Sequence, residues 1–376
     1  MQYVPTRFAN PIDAALRLRP DLPLACFCPQ ALTEQARRFG AGFDGLTTYA
    51  VKANPAREVL ETLVAAGVGT FDTASIAEMR AVRAVAPGAA LHYHNPVRSP
   101  TEIAEARGLG VASWSVDDAG ELAKIAPGPG DEIAVRLALR VPGAAYDFGA
   151  KFGAPPAKAA DLLRRAADRG ARASITFHPG TQCDRPEAWR SYVMAAAEVA
   201  QAAGVRLHRL NVGGGFAGNR DGTRPDLERV FATIAATARQ AFEVPPVLVC
   251  EPGRALVSEA VTLITRVKAI RTDGTVFLND GLYGGLAELR DMPVPRRMCI
   301  LGPEGRLRSG ARKARVVFGP TCDSVDRLPG EVGLPVDMQP GDFLLWPGMG
   351  AYALALNTGF NGYGVTGTVT VASGLS

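Results

Sequence analysis

Lys52 stands where an apolar run, Thr48-Tyr49-Ala50-Val51, gives way to the turn residues Ala53-Asn54-Pro55. An amine at the end of a buried strand is desolvated, its pKa falls, and it becomes nucleophilic enough to hold an aldehyde cofactor as a Schiff base. Alone, such a lysine reads first as a cap at the surface. Other polar residues also end apolar runs: Asp72, His94, Ser115 or Asp117, Arg136, His178, Asn211 and Glu251. In Asn211-Val212-Gly213-Gly214-Gly215-Phe216, three glycines let backbone N–H groups approach an anion. In Glu251-Pro252-Gly253-Arg254, a carboxylate and a guanidinium three residues apart can grip a protonated ring nitrogen and a phosphate. His178, in Phe177-His178-Pro179-Gly180-Thr181-Gln182, is one of four histidines and can stack on a planar ring. Further along, Gly319-Pro320-Thr321-Cys322-Asp323-Ser324-Val325-Asp326 sets a thiol beside a carboxylate, a proton donor beside an amine binder. Tyr352, in Gly350-Ala351-Tyr352, offers a phenol for a phosphate, with Phe360-Asn361-Gly362 eight residues beyond it. Tyr283, in Asp280-Gly281-Leu282-Tyr283, reads first as packing.

These residues need elements that bring strand ends together. Short apolar runs near 46–52, 68–72, 90–94, 111–116, 132–138, 173–178, 208–212 and 247–251 alternate with Ala-rich amphipathic segments. That pattern predicts an α/β chain with a parallel, TIM-like (β/α)8 barrel, whose chemistry sits at the C-terminal strand ends. Beyond about residue 255, β-type runs at 260–270, 274–278, 314–318, 342–346 and 362–371 predict an antiparallel β-barrel or sandwich domain. The expected division is a barrel domain over 26–255, with 1–25 and 256–376 forming the β domain.

Composition narrows the function classes. The 376 residues are 47% hydrophobic and 21% charged, as in ordinary globular proteins. The net charge of +4 is scattered, which argues against nucleic acid and against a charged membrane surface. No apolar run reaches membrane-spanning length, and Met1-Gln2-Tyr3-Val4-Pro5 opens without the features of a secretory signal. Six cysteines, at 26, 28, 183, 250, 299 and 322, lack metal-binding spacing, and Cys26 and Cys28 share one face of a strand. A cytoplasmic protein with reduced thiols and no metal is expected.

The ordered motifs YAVKAN, FDTAS, KFG, FHPGTQ, NVGGGF, EPGR, GPTCDS and GAY…FNG cover nearly the whole chain. Together they resemble the group IV decarboxylases of fold type III, the alanine-racemase-like enzymes that use pyridoxal 5′-phosphate (PLP). The resemblance implies the barrel just described, a C-terminal β domain, and a head-to-tail homodimer with two active sites at its interface. It implies that Lys52 holds the PLP aldehyde, that Glu251 keeps the pyridine nitrogen protonated so the ring acts as an electron sink, and that His178 stacks on the ring. It assigns the phosphate to Gly213, Gly214, Gly215, Gly253, Arg254 and Tyr352, helped by Thr181, and sets Asp72 and Arg136 around the lysine and ring. Cys322 and Asp323 would come from the partner subunit, with Cys322 reprotonating the α-carbon after CO2 leaves.

Diaminopimelate decarboxylases usually carry Cys-Glu-Ser where this chain has Cys322-Asp323-Ser324, as ornithine decarboxylases do. Asp291 follows Tyr283 where those enzymes keep a second amine-binding carboxylate, and Phe360 joins Tyr283 beside the substrate. Two acids suit a distal ammonium, because a buried carboxylate without a partner is costly. The expected substrate is L-ornithine, giving putrescine for polyamine synthesis, then L-lysine, diaminopimelate or a modified diamino acid. Departures from the family pattern are Arg290 beside Asp291, Asn211 in place of an acid, Pro179 after the histidine, and Gly149-Ala150 before Lys151-Phe152-Gly153. An amino-acid racemase would need a catalytic tyrosine where Cys322 stands. A non-catalytic regulatory homologue would lack the lysine or the phosphate ligands that this chain keeps.

Overall fold

The computed structural model describes residues 8–139 and 151–375. The opening Met1–Pro5 segment and the Gly149-Ala150 departure lie outside the described residues. The chain divides into two units: Ala36–Ala217 with Pro225–Gly253, and Met1–Gln35 with Gly218–Arg224 and Arg254–Ser376.

The first unit is an all-parallel sheet closed into a barrel. Its strand order is Leu46–Thr47, Val247–Cys250, Arg209–Asn211, Arg172–Thr176, Glu132–Arg136, Val111–Val116, Ala90–Tyr93, Thr70–Thr73 and Tyr49–Ala50. The two ends of that order belong to one short stretch of chain, so the sheet returns to its start. The intervening helices begin where the sequence supplies caps. Ser75 accepts from Glu78 N, Asp118 from Gly120 N and Asp226 from Arg229 N, while Ser99 and Glu102 form a reciprocal capping box. Prolines open the helices Pro100–Gly108, Pro156–Asp168 and Pro186–Ala203. Gly204 ends the last of these in the left-handed region, at φ 68°.

The run expected as one strand over 46–52 is corrected to two short strands and a 3-10 turn, Val51–Ala53. Leu46–Thr47 pairs with Val247–Cys250, whereas Tyr49–Ala50 pairs with Thr70–Thr73. Between them, Thr48 N–H donates to Cys250 O at 2.8 Å and continues the pairing with Val247–Cys250. Several other polar strand-end residues, among them His94, His178 and Glu251, lie one or two positions past their strands, where the ladder has ended.

The second unit centres on a seven-stranded, mainly antiparallel sheet. Its main path runs Cys299–Leu301, Phe343–Trp346, Val261–Ile270, Leu24–Phe27, Gly367–Thr370. Leu24–Phe27 pairs antiparallel with Val261–Ile270 and parallel with Gly367–Thr370. Its core gathers Phe8, Leu24, Cys26, Cys28, Ile264, Leu301, Phe343, Leu345 and Val371. The strand expected over 362–371 shortens to Gly367–Thr370, because Gly362 and Gly364 adopt φ 75° and 124°, which no extended strand accommodates. All six cysteines are free. Among the described residues, no helix is long and apolar enough to cross a membrane.

Phe216 follows the glycine triplet and anchors it. Its ring lies 5.0 Å from Trp189, 5.4 Å from Phe39 and 5.8 Å from Phe231, and it is 2% exposed. Phe216→Ala removes the centre of this aromatic cluster and should cost about 3–5 kcal/mol. Denaturant unfolding of the purified variant checks this as a lowered midpoint.

Candidate active site

In the barrel unit, the Lys52 turn and the Glu251 loop are built against each other. Ala50 N donates to Pro252 O at 3.2 Å, and a Cβ on Gly253 would meet Ala53 Cβ at 2.9 Å. Only glycine allows that approach. Lys52 is exposed on its 3-10 turn, which begins directly after the strand Tyr49–Ala50, so the desolvated strand end expected for its amine is corrected. Its charge still acts on Asp72, Glu78, His178 and Glu251, which places it among the polar strand ends.

Glu251 is buried. Its Oε1 lies 2.5 Å from His94 Nδ1 and accepts from Asn211 Nδ2 at 2.5 Å. Burial would raise its pKa, but the His94 charge and hydrogen bond, then Asn211 and Lys52, outweigh this and hold it down at about 2. Asp72, on Thr70–Thr73, moves the other way. Burial first, then the Glu251 charge, raises it to about 7, against the pull of Lys52 and His94. Two neighbouring acids are thereby driven apart, one ionised and one able to hold a proton. Arg136 ends its strand 5.4 Å over the Phe152 ring, its pKa lowered by burial and supported by Glu251 and Asp72. His178 accepts from Gly180 N at Nδ1, 3.1 Å. Burial, then Lys52 and Arg136, push its pKa down, so the ring facing Gly214 is neutral. A Cβ on Gly213 would lie 1.9 Å from Phe177 O, on Gly214 2.7 Å from Glu251 O, and on Gly215 2.2 Å from Gly180 O. Thr181 is half-buried in the next turn.

In the second unit, Arg254 is buried, ion-paired to Glu288, and 5.1 Å over the Tyr352 ring. Glu288 also binds Arg220 at 3.0 Å. Tyr352 takes φ 62°, a left-handed conformation that side chains rarely adopt. Elsewhere in this unit, the Tyr283 hydroxyl donates to Asp323 Oδ2 at 2.5 Å, and the Tyr283 and Phe360 rings lie 4.8 Å apart. Exposed Cys322 donates its N–H to Asn361 Oδ1 at 3.1 Å. Cys322, Asp323, Tyr283 and Phe360 therefore form one cluster. Asp291 is exposed, and its carboxylate has no hydrogen bond or ion pair among the described residues.

Three parts of this arrangement have no assignment from the motifs. His94 ends a strand, yet its partner Glu251 is 157 positions away. Glu288 had a signal as a lone acid in the apolar run Leu286-Ala287-Glu288-Leu289. Asp326 closes the Cys322 motif, and its buried carboxylate accepts from Leu282 N at 2.7 Å and Thr321 Oγ1 at 2.8 Å, tying the Tyr283 turn to the Cys322 loop.

The residues fit PLP. Glu251 Oε2 has no hydrogen bond among the described residues and is available to a ring N–H. The glycine loop has no room for side chains and presents backbone. In the second unit, buried Arg254 keeps Nε and Nη1 without a partner among the described residues, donors suited to an anion.

Comparison with known proteins agrees. The model of the family "pyridoxal-dependent decarboxylase, pyridoxal binding domain" matches residues 30–258. The chain is 32% identical to a lysine/ornithine decarboxylase of Selenomonas ruminantium, over 85% of this chain and 82% of that one. It is 32% identical to an ornithine decarboxylase of Panagrellus redivivus, over 84% and 77%. The crystal structure of an arginine decarboxylase of Paramecium bursaria Chlorella virus, bound to agmatine, superposes with a TM-score of 0.84 at 25% identity, covering 96% of this chain and 99% of that one.

Asp72 gives a pH test. Its folded-state pKa of about 7 lies above the ordinary 3.8, so the folded protein keeps a proton that the unfolded chain has released. Stability from this group is lost as pH rises between those values. Asp72→Asn should therefore raise the melting temperature of cofactor-free protein at about pH 8 and much less at about pH 5. Thermal unfolding at both values checks it.

Proposed function

The chain belongs to the pyridoxal-dependent decarboxylase family, and from that premise we propose that it decarboxylates L-ornithine to putrescine. It is a PLP-dependent amino-acid decarboxylase, and its relatives act on basic amino acids. The choice of ornithine is supported by one observation above all. Asp323 is held ionised by the Tyr283 hydroxyl and Val325 N, both neutral donors, and has no cationic partner among the described residues. A distal ammonium supplies that partner, whereas a distal carboxylate would be repelled. Tyr283 donates to Oδ2 and Val325 N to Oδ1, and each oxygen keeps a lone pair that an ammonium can use. Asp291 is a second amine partner in this reading, after Asp323. Lysine, one methylene longer, is the second substrate choice.

PLP, when bound, supplies an electron sink conjugated to the substrate's α-carbon. Lys52 Nζ is the amine that holds the cofactor and later releases the product. Glu251 Oε2 binds the ring nitrogen and keeps its proton there. Neutral His178 stacks on the ring without adding charge, and Asp72 and Arg136 flank it. Gly213, Gly214, Gly215, Gly253, Arg254, Tyr352 and Thr181 bind the phosphate. The α-carboxylate leaves as CO2, its electron pair stays with the α-carbon, and Cys322 Sγ gives that carbon a proton. The thiolate then recovers a proton from water. In this reading Cys322, Asp323, Tyr283 and Phe360 are contributed by a second copy in a cytoplasmic homodimer, and the product feeds polyamine synthesis.

Mass spectrometry of products from L-ornithine, L-lysine, L-arginine and meso-diaminopimelate tests the assignment. Putrescine should dominate, and lysine appearing from diaminopimelate would overturn the amine-binding role of Asp323. Lys52→Ala should lose both the bound-cofactor absorbance and turnover. Asp323→Asn should lower kcat/KM for ornithine by about ten- to a hundredfold, the scale of a lost charge-assisted hydrogen bond. Steady-state kinetics reads that loss.

A further inference from the structure

Glu251 has two chemically distinct oxygens. Oε1 carries both hydrogen bonds, from His94 and Asn211, and Oε2 carries none among the described residues. Both partners are themselves fixed. His94 Nε2 lies 3.0 Å from Ser113 Oγ, and its ring stacks on His92 at 5.3 Å between centroids. Asn211 Oδ1 accepts from Gly213 N at 2.9 Å. Residues at the ends of two strands and the middle of a third thus converge on one carboxylate oxygen, inside the barrel and out of water: His94 is 7% exposed, Asn211 3% and Ser113 1%. A glutamate left to itself samples many rotamers, and ordering it costs conformational entropy. A ring nitrogen needs one orientation.

We infer that His94 is a positioning residue for the cofactor ring: it pins Glu251 Oε1, with Asn211, so that Oε2 alone faces the ring nitrogen. The inference rests on Glu251 being the ring-nitrogen partner. Asn211 fits the same scheme. An acid at 211 would repel Glu251, whereas an amide donates to it.

A metal site is the competing use of these groups, since His92, His94 and Glu251 each place one donor atom within 4.8 Å of the others. The 2.5 Å between His94 Nδ1 and Glu251 Oε1 is a hydrogen bond's length. Two ligands about 2.0–2.1 Å from one tetrahedral ion stand farther apart than that. The charged and titratable groups facing His94 are Glu251, Asp72, Glu132 and His92. Burial would lower its pKa, but Glu251 and then Asp72 raise it, so His94 also brings positive charge to the carboxylate.

The test compares His94→Ala, His94→Gln, Glu251→Gln and the His94→Ala/Glu251→Gln double variant. For each, the PLP dissociation constant is measured by tryptophan fluorescence, the pH midpoint of the bound-cofactor absorbance by titration, and folding by thermal unfolding. His94→Ala should weaken PLP about tenfold and shift the midpoint. Glutamine can still donate to Oε1 but carries no charge, so His94→Gln should restore affinity to within about threefold while leaving the midpoint shifted. In the Glu251→Gln background, His94→Ala should add less than about twofold, because the two act as one unit. A lowered melting temperature with unchanged affinity and midpoint would make His94 purely structural and overturn the inference. If His94→Ala does not fold, an unshifted midpoint in His94→Gln overturns it. Unchanged affinity and midpoint in Glu251→Gln would overturn the Glu251 reading itself, and is distinguishable from the failure of His94 alone.

Discussion

Closure of the barrel through residues 46–50 is the constraint on which the active-site unit depends. Leu46–Thr47 and Tyr49–Ala50 pair with strands at opposite ends of the sheet order. Thr48 lies between them and donates to Cys250 O. Lys52 follows on a 3-10 turn, held against the Glu251 loop by the absence of a side chain at Gly253. The hydrogen bonds that close the sheet thereby set the lysine beside the acid. A parallel barrel has no free edges to slip, so this register is as firm as the sheet itself.

The mouth of this barrel concentrates charge where solvent is scarce. Such charges persist only when partnered, and their partners decide which way each pKa moves. Glu251 has His94 and Asn211 and stays ionised, while burial and then the Glu251 charge raise Asp72 to about 7. Burial, then Lys52 and Arg136, keep His178 neutral. The result is a set of groups whose proton affinities are driven apart before any ligand arrives. Electrostatic preorganisation of this kind contributes strongly to catalysis because nothing need reorganise during the reaction.

The second unit solves a similar problem with different means. Glu288 neutralises part of the charge of Arg254 and Arg220, yet Arg254 keeps unpartnered donors. Asp326 is buried beside Gly281 and Gly319, where any Cβ would collide with its carboxylate. It ties together two turns that carry Tyr283 and Cys322. Substrate preference in this reading depends on a loop whose shape is set by an acid that never meets the substrate.

The alternation of short apolar runs with Ala-rich amphipathic segments was sufficient, from sequence, for the barrel, since both periodicities are local properties. Lys52, Glu251, the glycine triplet and Cys322 were legible as chemically capable groups in turns that follow strands. Partner identity was not legible. His94 and Glu251 are 157 positions apart, Tyr283 and Asp323 are 40 apart, and Arg220 and Glu288 are 68 apart. Nothing in the residues flanking either member of a pair encodes the other. The exposure of Lys52 was not legible either: the apolar run continues through Val51, but the backbone enters a 3-10 turn there. Sequence by itself determined which groups could do chemistry and on which elements they sit. Only the tertiary structure decided which carboxylate meets which base, because that depends on register and closure across the whole sheet.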